Sequence, residues 1–567
     1  MNTTLPPWDY LIVTASNTQQ AEVYASQLRL RQDLGMLSQA GKVLVLADPE
    51  GRRIGSGGST LFCLATVINH ELDDCPVAVK NSAAPFEILQ RLRILIIHAG
   101  GDSKRLPAYG PCGKIFVPLP EEDLSVPGQT LFDRNAAELF SLPAPANGKG
   151  QVVVVSGDAL LLFRAGIFQP AESGVTVLSN FTGTEEARRH GVYCVNAHGA
   201  LRLYLQKPTG EEQQRHGAVD RSGRVLLDLG LMSFEATTAA VWLKAFDFSF
   251  NPDGRFGWSE EMKAYILAHE LDLYREICCA MGMEADETSY LHTVRSSGSQ
   301  WEETALHRIF PQLHAIPMHV LVAPKCRFLH FGTTRQLHQS SRELLDHDQQ
   351  PVPPDWLFSL NNEIHSNFRV FGSHAWMEGC RLRAPLTLDG GNVLVGVDVE
   401  TPLHLPREAC LDVLWGVNRH GQSVYFIRCY GLIDTFKDTI SSGALFCGRL
   451  LSEWLGAIGA KAEQVYSGAI PWEMLTLWDA RVFPAVTDPG EYRNWLWMYQ
   501  PDSATAEQKL AWHAADRYSA ADIALLANPP HFHQRRMQIR SRQPGETEED
   551  RAARLRAASF LRWSDNR

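Results

Sequence analysis

The chain has 567 residues, more than a single hydrophobic core usually supports, so two or three domains are expected. Hydrophobic residues make up 45% and charged residues 21%, as in an ordinary globular protein, and the formal net charge of −11 argues against nucleic acid or an anionic membrane as the main partner. The 11 cysteines are an odd number and are scattered without a C-x-x-C pair, which is typical of a reducing compartment.

The N-terminal stretch MNTTLPPWDYLIVTAS lacks a basic segment followed by a long apolar run, so no signal peptide is expected. No apolar stretch approaches the roughly 20 residues that span a bilayer. These features predict a cytoplasmic protein with no membrane or nucleic-acid partner.

Strand-like and helix-like segments alternate in the first half of the chain. The strand-like segments are DYLIVTAS, KVLVLADP, RILIIHAGG and QVVVVSGD, and helix-like segments lie between them. This order predicts an α/β domain with a mainly parallel sheet, which binds ligands beyond the C-terminal ends of its strands. Three polar or glycine-rich tips fall at such ends: Gly55 to Thr60, Gly100 to Arg105, and Ser156 to Asp158.

The first tip, GSGGST, is a glycine-rich loop between a strand and a helix. It is not a Walker loop, because no lysine precedes Ser59. We interpret Gly55, Gly57, Gly58 and Ser59 as nucleotide-binding residues. The alternative is a tight structural turn.

The second tip, in ILIIHAGGDSKRLP, ends an apolar run with Gly100 and Gly101 and then places two cations beside them. Glycine lets backbone N–H groups approach phosphate oxygens closely, and the fork of donors on Arg105 suits two phosphate oxygens at once. Lys104 and Lys114 add compact charges. The pattern predicts a phosphate site, with a plain turn as the alternative. His98, inside the apolar run, is predicted to be a hydrogen-bonded core residue.

The third tip ends in Asp158, and a carboxylate there is well placed to hold Mg²⁺. The alternative is an N-cap for a helix over ALLLF. Asp228 and Asp272 are candidates for a second carboxylate ligand, and either could instead be a cap or a surface residue. Lys207, in LYLQKP, could contact the phosphate of an acceptor sugar, although the residues alone favour a surface lysine.

The pattern of apolar residues in the sequence changes from about Phe328. An apolar residue recurs at every sixth position, at Ile364, Val370, Trp376, Leu382, Leu388 and Leu394. A period of six predicts the stacked short strands of a parallel β-helix, with an antiparallel meander as the alternative. Beyond about Thr435 the pattern predicts helices, and the Arg-rich end mixes in acids, which favours a solvated or packing helix over a nucleic-acid arm.

Several blocks taken together resemble the L-fucokinase / fucose-1-phosphate guanylyltransferase (GDP-fucose pyrophosphorylase) family. They are PPWDYLIVTASNTQQAEVYASQL, DPEGRRIGSGGSTLFCL, HAGGDSKRLPAYGPCGKIFVPLP, VVSGDALLLF, YLQKP, FLHFGTT and LWDARVFPA. The second tip is also similar to the G-G-x-G-x-R-L…P-K loop of sugar-1-phosphate nucleotidyltransferases, with Ser103 at the third glycine and Gly113 at the proline. The phosphate loop typical of the family's kinase part is absent from the sequence, so the resemblance extends to the pyrophosphorylase part only.

The resemblance implies an α/β fold: a Rossmann-like nucleotidyltransferase domain (1–325), a left-handed parallel β-helix (326–435) and a helical C-terminal region (436–567). It implies synthesis of GDP-L-fucose and pyrophosphate from GTP and L-fucose 1-phosphate, assisted by Mg²⁺. The implied roles are as follows: nucleotide binding by Gly57, Gly58, Gly100 and Gly101, β/γ-phosphate binding by Arg105 and Lys104, α-phosphate binding by Lys114, Mg²⁺ binding by Asp158, and sugar-phosphate binding by Lys207 with Asp228.

Three alternatives stay open at this point. The chemistry could act on another sugar 1-phosphate or base, or the chain could be a non-catalytic relative that binds a nucleotide sugar. A β-helix acyltransferase with His365 or His374 as base is a third reading, which the complete α/β domain disfavours. A homo-oligomer is possible.

Overall fold

A computed structural model describes residues 7–74, 85–120, 127–145, 148–349, 355–365, 368–466, 471–541, 546–547 and 549–551. The chain forms two compact units: unit 1 consists of Met1–Gly101 and Asn135–Phe328, and unit 2 of Asp102–Arg134 and Leu329–Arg567. The segment Asp102–Arg134 therefore belongs with the C-terminal half, although it lies inside the range 1–325 that the sequence assigned to one domain.

The regular elements of the first 322 residues build unit 1, apart from α4, which crosses the unit boundary at Asn135. The strands are β1 (Trp8–Ala15), β2 (Ala40–Ala47), β3 (Arg93–His98), β4 (Gln151–Ser156), β5 (Ala159–Leu162), β6 (Val175–Gly183), β7 (Gly191–Val195), β8 (Leu201–Gln206), β9 (Arg224–Phe234), β10 (Phe248–Phe250), β11 (Phe256–Trp258) and β12 (Met318–Val322). The helices are α1 (Thr18–Asp33), α2 (Gly55–Asp73), α3 (Pro85–Leu89), α4 (Leu131–Phe140), α5 (Thr184–Ala187), α6 (Gly210–Arg215), α7 (Ala236–Ala245), α8 (Glu260–His269), α9 (Glu287–Ser296) and α10 (Glu303–His314).

Unit 1 is built on one mixed sheet in the order β12-β6-β9-β4-β3-β1-β2, with β7 joined to β8 and β9. Strands β2, β1, β3 and β4 run parallel, and β9 runs antiparallel to both β4 and β6. The predicted α/β fold with parallel strands is confirmed. Because these four strands are parallel, their C-terminal ends lie along one side of the sheet, which we call the C-terminal edge.

The central strands of this sheet are apolar because both of their faces are covered. Ile94, Leu95, Ile96 and Ile97 of β3 are fully buried, and the valines of β4 are at most 2% exposed. A strand with no solvent face has no alternation of polar side chains. The first polar or glycine residues along each strand therefore mark the C-terminal edge.

Unit 2 contains the remaining elements, apart from β13, which crosses the boundary at Leu329. The strands are β13 (Arg327–His330), β14 (Leu357–Leu360), β15 (Glu363–Ile364), β16 (Val370–Gly372), β17 (Ala375–Glu378), β18 (Arg381–Leu382), β19 (Leu386–Leu388), β20 (Val393–Val395), β21 (Asp398–Val399), β22 (Leu403–Leu405), β23 (Ala409–Val417), β24 (Ser423–Gly431), β25 (Leu445–Phe446), β26 (Arg449–Leu450), β27 (Phe483–Val486) and β28 (Arg517–Tyr518). The helices are α11 (Thr334–His347), α12 (Leu451–Ala457), α13 (Ala506–Ala514), α14 (Ala520–Leu526) and α15 (Pro529–Arg540).

Short strands of unit 2 stack in three parallel series, β14-β17-β20-β23, β15-β18-β21 and β16-β19-β22. The six apolar residues of the predicted period fall one on each of the consecutive strands β15 to β20. Trp376 and Leu394 are fully buried, and Leu382 and Leu388 are at most 2% exposed. The predicted stack of short parallel strands is confirmed, and the antiparallel meander is wrong for this stretch.

The region 436–567 is not purely helical, contrary to the prediction. It contains α12 to α15, but β27 pairs with β24 and β28 pairs with β27, both antiparallel. The predicted helix of the Arg-rich end lies, from residue 552 onward, outside the described residues. Within α15, the Arg535 and Arg536 guanidinium groups pair with Asp398 and Glu378, so these two arginines pack within unit 2.

No helix in the described part of the chain is both long enough and apolar enough to cross a membrane.

Candidate active site

The turn after β3 contains the glycines of the predicted phosphate loop that belong to unit 1. Gly100 is exposed, and Gly101 has a φ of 151°. A residue with a side chain would be strained in that backbone conformation. Helix α1 holds the turn, because Gln20 Nε2 donates to Gly101 O at 3.1 Å and the Tyr24 hydroxyl donates to Ala99 O at 3.1 Å. The result is an exposed, fixed stretch of backbone on the C-terminal edge.

His98 is the last residue of β3 and is hydrogen-bonded, as predicted. Its Nδ1 lies 3.4 Å from Thr14 Oγ1, and its Nε2 lies 2.9 Å from Thr60 Oγ1. Burial lowers the pKa of the imidazole to about 4. The ring therefore joins β1, β3 and α2 without adding charge.

The GSGGST segment is the first turn of α2 and packs tightly against Leu271. The N–H groups of Gly57 and Gly58 donate to Leu271 O at 2.8 and 3.1 Å. Gly55 has a φ of 75°, and a Cβ placed there would lie 2.3 Å from the same oxygen. Close packing against Leu271, rather than the tight turn that the sequence left open, accounts for these glycines, and their contact with a nucleotide stays a prediction. The segment is also not the predicted loop, because helix α2 begins at Gly55.

Replacing Gly55 by alanine should destabilise the protein by about 2 kcal/mol even without ligand, because a left-handed residue and a backbone clash are both introduced. Urea unfolding of the unliganded variant measures this. Gly166→Ala is the matched control, since a Cβ there meets nothing within 4 Å and its φ is not left-handed. Equal midpoints for both variants would show that Leu271 does not constrain Gly55.

Asp48 follows β2 on the C-terminal edge and was missed by the sequence reasoning. Ser59 Oγ donates to Asp48 Oδ1 at 2.6 Å. Burial raises the pKa of the carboxyl to about 6, against the lowering effect of Ser59 and of the Ile54 N–H. The signal was present in the strand KVLVLADP, which ends in an aspartate just as QVVVVSGD does.

The buried charge of Asp48 should make stability depend on pH. Because the folded pKa is above the unfolded value of 3.8, the favourable contribution is present below pH 4 and is lost as the pH rises through 6. Asp48→Asn should therefore match the parent at pH 4 and be about 1–2 kcal/mol more stable at pH 8. Urea unfolding of both proteins from pH 4 to 8 measures the difference, and a pH-independent difference would contradict it.

Asp158 stands at the end of β4, and Ser156 Oγ donates to its Oδ1 at 2.9 Å. The following residues form strand β5 rather than a helix, so the alternative role as a helix N-cap is wrong. Across the described ranges, no group of three or more His, Cys, Asp or Glu residues is arranged to hold a metal ion. A half-buried carboxylate at this edge suits Mg²⁺, which is commonly bound by one or two carboxylates together with waters and substrate phosphates.

Asp228 lies in β9, and its two oxygens are engaged inside unit 1. Gly230 N donates to Oδ1 at 2.8 Å, and the Tyr204 hydroxyl donates to Oδ2 at 2.9 Å. Burial raises the pKa of this carboxyl. The residue is neither a helix cap nor a surface residue, and its predicted role at a sugar phosphate is still a prediction.

Asp272 is the N-cap of the short helical turn Leu273–Ile277, where its Oδ1 accepts from the N–H groups of Tyr274 and Arg275 at 2.9 Å. The cap alternative for this residue is confirmed. Lys207 is exposed directly after β8, with a left-handed φ of 50° and its N–H donating to His190 O at 3.1 Å. Its contact with a sugar phosphate is likewise a prediction.

The cations of the predicted phosphate loop belong to unit 2. Arg105 O accepts from Thr334 N at 2.9 Å, and Lys104 O accepts from Phe436 N at 3.2 Å. Trp478 N in turn donates to Phe436 O at 2.8 Å. Three blocks that are far apart in the sequence, DSKRLP, FGTT and LWDA, are thus joined within unit 2.

The side chains of the two adjacent cations have different surroundings. Lys104 Nζ lies 3.6 Å from Asp102 Oδ2 and 5.8 Å from the ring centre of Trp478. The guanidinium of Arg105 is half-buried, and no carboxylate in the described part of the chain pairs with it. A fixed backbone, and a guanidinium that no described carboxylate neutralises, suit Arg105 to binding an anion.

Two departures from the nucleotidyltransferase pattern have visible consequences. Ser103 has a φ of 55°, which explains why a glycine is usual at that position. Gly113, in place of proline, has a φ of 77°, which proline cannot adopt. Lys114 begins the single turn Lys114–Phe116 directly after this left-handed residue.

A buried ion pair supports the segment that carries these cations. Arg428 Nε lies 2.6 Å from Asp412 Oδ1, and both side chains are at most 1% exposed. Arg428 Nη2 also donates to Pro107 O at 2.8 Å. The turn after Arg105 therefore depends on a charge network inside unit 2.

The chain matches a known family over most of its length. Residues 87–488 match the family model described as "Fucose pyrophosphorylase domain". A bifunctional fucokinase/GDP-fucose pyrophosphorylase of Arabidopsis thaliana is 27% identical over 93% of this chain and 52% of its own length. An L-fucokinase/L-fucose-1-P guanylyltransferase of Bacteroides fragilis is 23% identical over 87% of this chain and 48% of its own. The chain thus spans about half the length of these two relatives.

A fucose-1-phosphate guanylyltransferase of Mus musculus is 25% identical over 85% of both chains. A solved structure described as mannose-1-phosphate geranyltransferase from Thermus thermophilus covers 74% of this chain and 94% of its own, with a TM-score of 0.23 and 12% identity. That score is too low for an argument about fold.

Proposed function

The chain belongs to the fucose pyrophosphorylase family, and on that premise we propose that it joins GTP and L-fucose 1-phosphate to form GDP-L-fucose and pyrophosphate. The observation that carries the proposal is the family match over residues 87–488. The mouse relative, named for this activity and similar over 85% of both chains, supports it. The alternatives of another sugar 1-phosphate, another base or a non-catalytic relative are separated by the experiment below.

The reaction needs two anions to be oriented and no covalent intermediate. An oxygen of the sugar 1-phosphate attacks the α-phosphorus of the triphosphate, and pyrophosphate departs roughly in line. Negative charge grows on the leaving group, so fixed cations facing it would lower the barrier. We assign the β- and γ-phosphates to Arg105 and Lys104, and the α-phosphate to Lys114.

The held backbone of Arg105 supports this assignment, because Thr334 fixes the carbonyl of the residue while no carboxylate among the described residues competes for its guanidinium. The exposed turn of Gly100 and Gly101 would receive phosphate oxygens on its N–H groups. The start of helix α2 would line the nucleotide site, through Gly55, Gly57, Gly58 and Ser59. Lys207, together with Asp228, would bind the sugar 1-phosphate.

Asp158 is the residue that would hold Mg²⁺ in this proposal. When bound, the ion would neutralise part of the charge that develops on the phosphates. The half-buried carboxylate at the C-terminal edge supports this role.

The finer architecture is part of the proposal as well. We propose that the three parallel series of short strands are the faces of a left-handed β-helix, which the six-residue period supports. A cytoplasmic location is supported by the ten described cysteines, all of which are free thiols. The homo-oligomer stays a prediction.

The test is pyrophosphate release from the purified protein with Mg²⁺, L-fucose 1-phosphate and each of the four nucleoside triphosphates in turn. We expect release with GTP only. Release with a different triphosphate would keep the chemistry and change the base, and release only with another sugar 1-phosphate would change the sugar. If no combination of triphosphate and sugar 1-phosphate releases pyrophosphate, while GTP still raises the melting temperature, the catalytic proposal is overturned in favour of a binding protein.

A further inference from the structure

Asp48 lies on the same edge of unit 1 as the exposed Gly100–Gly101 turn, at a fixed separation from it. The strand order β3-β1-β2 places the end of β2 two strands away from the end of β3. Neighbouring strands are about 4.8 Å apart, so the two ends are separated by roughly 10 Å. A nucleotide with its phosphates at the turn could therefore lay its base toward Asp48.

The Asp48 carboxylate is oriented by a donor from α2. Ser59 Oγ donates to Asp48 Oδ1 at 2.6 Å. Ser59 is itself fixed, because it lies in the α2 turn that Leu271 O holds through the N–H groups of Gly57 and Gly58. Asp48 is nonetheless only partly buried, so the carboxylate is not sealed inside the core.

A carboxylate accepts hydrogen bonds and donates none, and this restricts the bases that it can recognise. Guanine presents two adjacent donors, the N1–H and the 2-amino group, which match two carboxylate oxygens. Adenine, cytosine and uracil each place an acceptor beside their donor, and that acceptor would face the negative charge. A carboxylate at the position of Asp48 would therefore favour guanine over the other three bases.

We propose that Asp48 reads the guanine base of the triphosphate, accepting from N1–H and the 2-amino group while Ser59 keeps the carboxylate oriented. The inference rests on the proposed function, which places a guanine nucleotide in unit 1. It adds the residue that selects the base.

The burial of this charge agrees with the proposal. A carboxylate whose pKa is raised by burial costs stability in the unliganded protein, and two donors from a ligand would offset the lost hydration. The nearby charges are Arg53, which lowers the pKa, and Glu270, which raises it. Neither forms an ion pair with Asp48 among the described residues.

The test compares GTP, inosine triphosphate and xanthosine triphosphate on the parent and on Asp48→Asn. Inosine lacks the 2-amino group, and xanthine has a carbonyl in its place, which the amide of asparagine can recognise as a donor. We expect Asp48→Asn to lower kcat/KM for GTP about 100-fold or more and to prefer xanthosine triphosphate over GTP. The parent should lose about 10-fold or more with inosine triphosphate, and the variant should not distinguish it from GTP.

Asp33→Asn, at the exposed end of α1, is the matched control and should keep the base preference of the parent. Ser59→Ala should raise KM for GTP about 10-fold with little change in kcat, since it acts through Asp48. An Asp48→Asn variant that keeps the parent's ranking of the three triphosphates, or that loses all three equally, would overturn the inference.

The inference is separable from the proposed activity. If the parent releases no pyrophosphate, the same three triphosphates are compared by their effect on the melting temperature of both proteins. A shift of preference from GTP to xanthosine triphosphate in Asp48→Asn would support base reading without turnover. Identical shifts in both proteins would reject it.

Discussion

Arg105→Ala should lower kcat for pyrophosphate release about 100- to 1,000-fold, the usual cost of losing one group that stabilises developing charge. The reason is the position of the guanidinium, which has no carboxylate partner in the described part of the chain and stands on a backbone fixed by Thr334. Steady-state rates at saturating GTP and L-fucose 1-phosphate measure the effect. The melting temperature should stay within a few degrees, because the hydrogen bond of this residue to Thr334 uses its backbone carbonyl, which the substitution keeps.

Two further variants separate charge from geometry at this position. Arg105→Lys keeps the charge but loses the fork of donors, so its rate should lie between those of the parent and of Arg105→Ala. Arg335→Ala removes an exposed arginine from α11 and should leave the rate unchanged. Near-normal turnover in Arg105→Ala would remove the residue from the proposed mechanism.

Asp158→Asn is expected to cost about 100-fold or more in turnover at low Mg²⁺, with the fold intact, because a neutral amide is a weaker ligand for this ion than a carboxylate. The concentration of Mg²⁺ that gives half-maximal rate should rise as well. A titration of the rate with Mg²⁺, in the parent and the variant, measures both effects.

Asp253→Asn is the control for this variant, since Asp253 lies in the exposed turn between β10 and β11 and its Oδ1 accepts from Arg255 N at 3.0 Å. It should behave as the parent. If Asp158→Asn shows the parent's rate and the parent's Mg²⁺ requirement, the carboxylate at the end of β4 is not a metal ligand.

The sheet of unit 1 and the strand stack of unit 2 were predictable because each follows from a simple pattern in the sequence, apolar runs in the first and a six-residue period in the second. The strands β1, β3 and β4 read as unbroken apolar runs, and their ends are marked by the first glycine or polar residue. The stack was predicted from one apolar residue in each short strand, at Trp376, Leu382 and the other four positions of the six-residue period. Such signals are local, and they do not depend on the partner of each strand.

The candidate site was harder to predict, since its details depend on contacts between distant residues. Three glycines in GSGGST indicate a ligand or a close approach equally well, and only the position of Leu271 shows that the approach is to the protein's own backbone. Asp48 ends a strand-like run just as Asp158 does, but that position alone does not separate it from other strand-end residues, and its burial and its bond to Ser59 do. The antiparallel pairing of β9 likewise has no signature in its own apolar run.

The segment Asp102–Arg134 has a consequence for the synthesis of the chain. Its partners in unit 2, such as Thr334 and Phe436, are made roughly 230 to 330 residues later, which at ordinary rates of translation is a delay of about 10–70 s. During that interval the cation-bearing stretch has no partners to fold against, while the residues of unit 1 on either side of it are already available. A fragment that stops at residue 325 would leave it permanently in that state, with Lys104 and Arg105 present but not positioned.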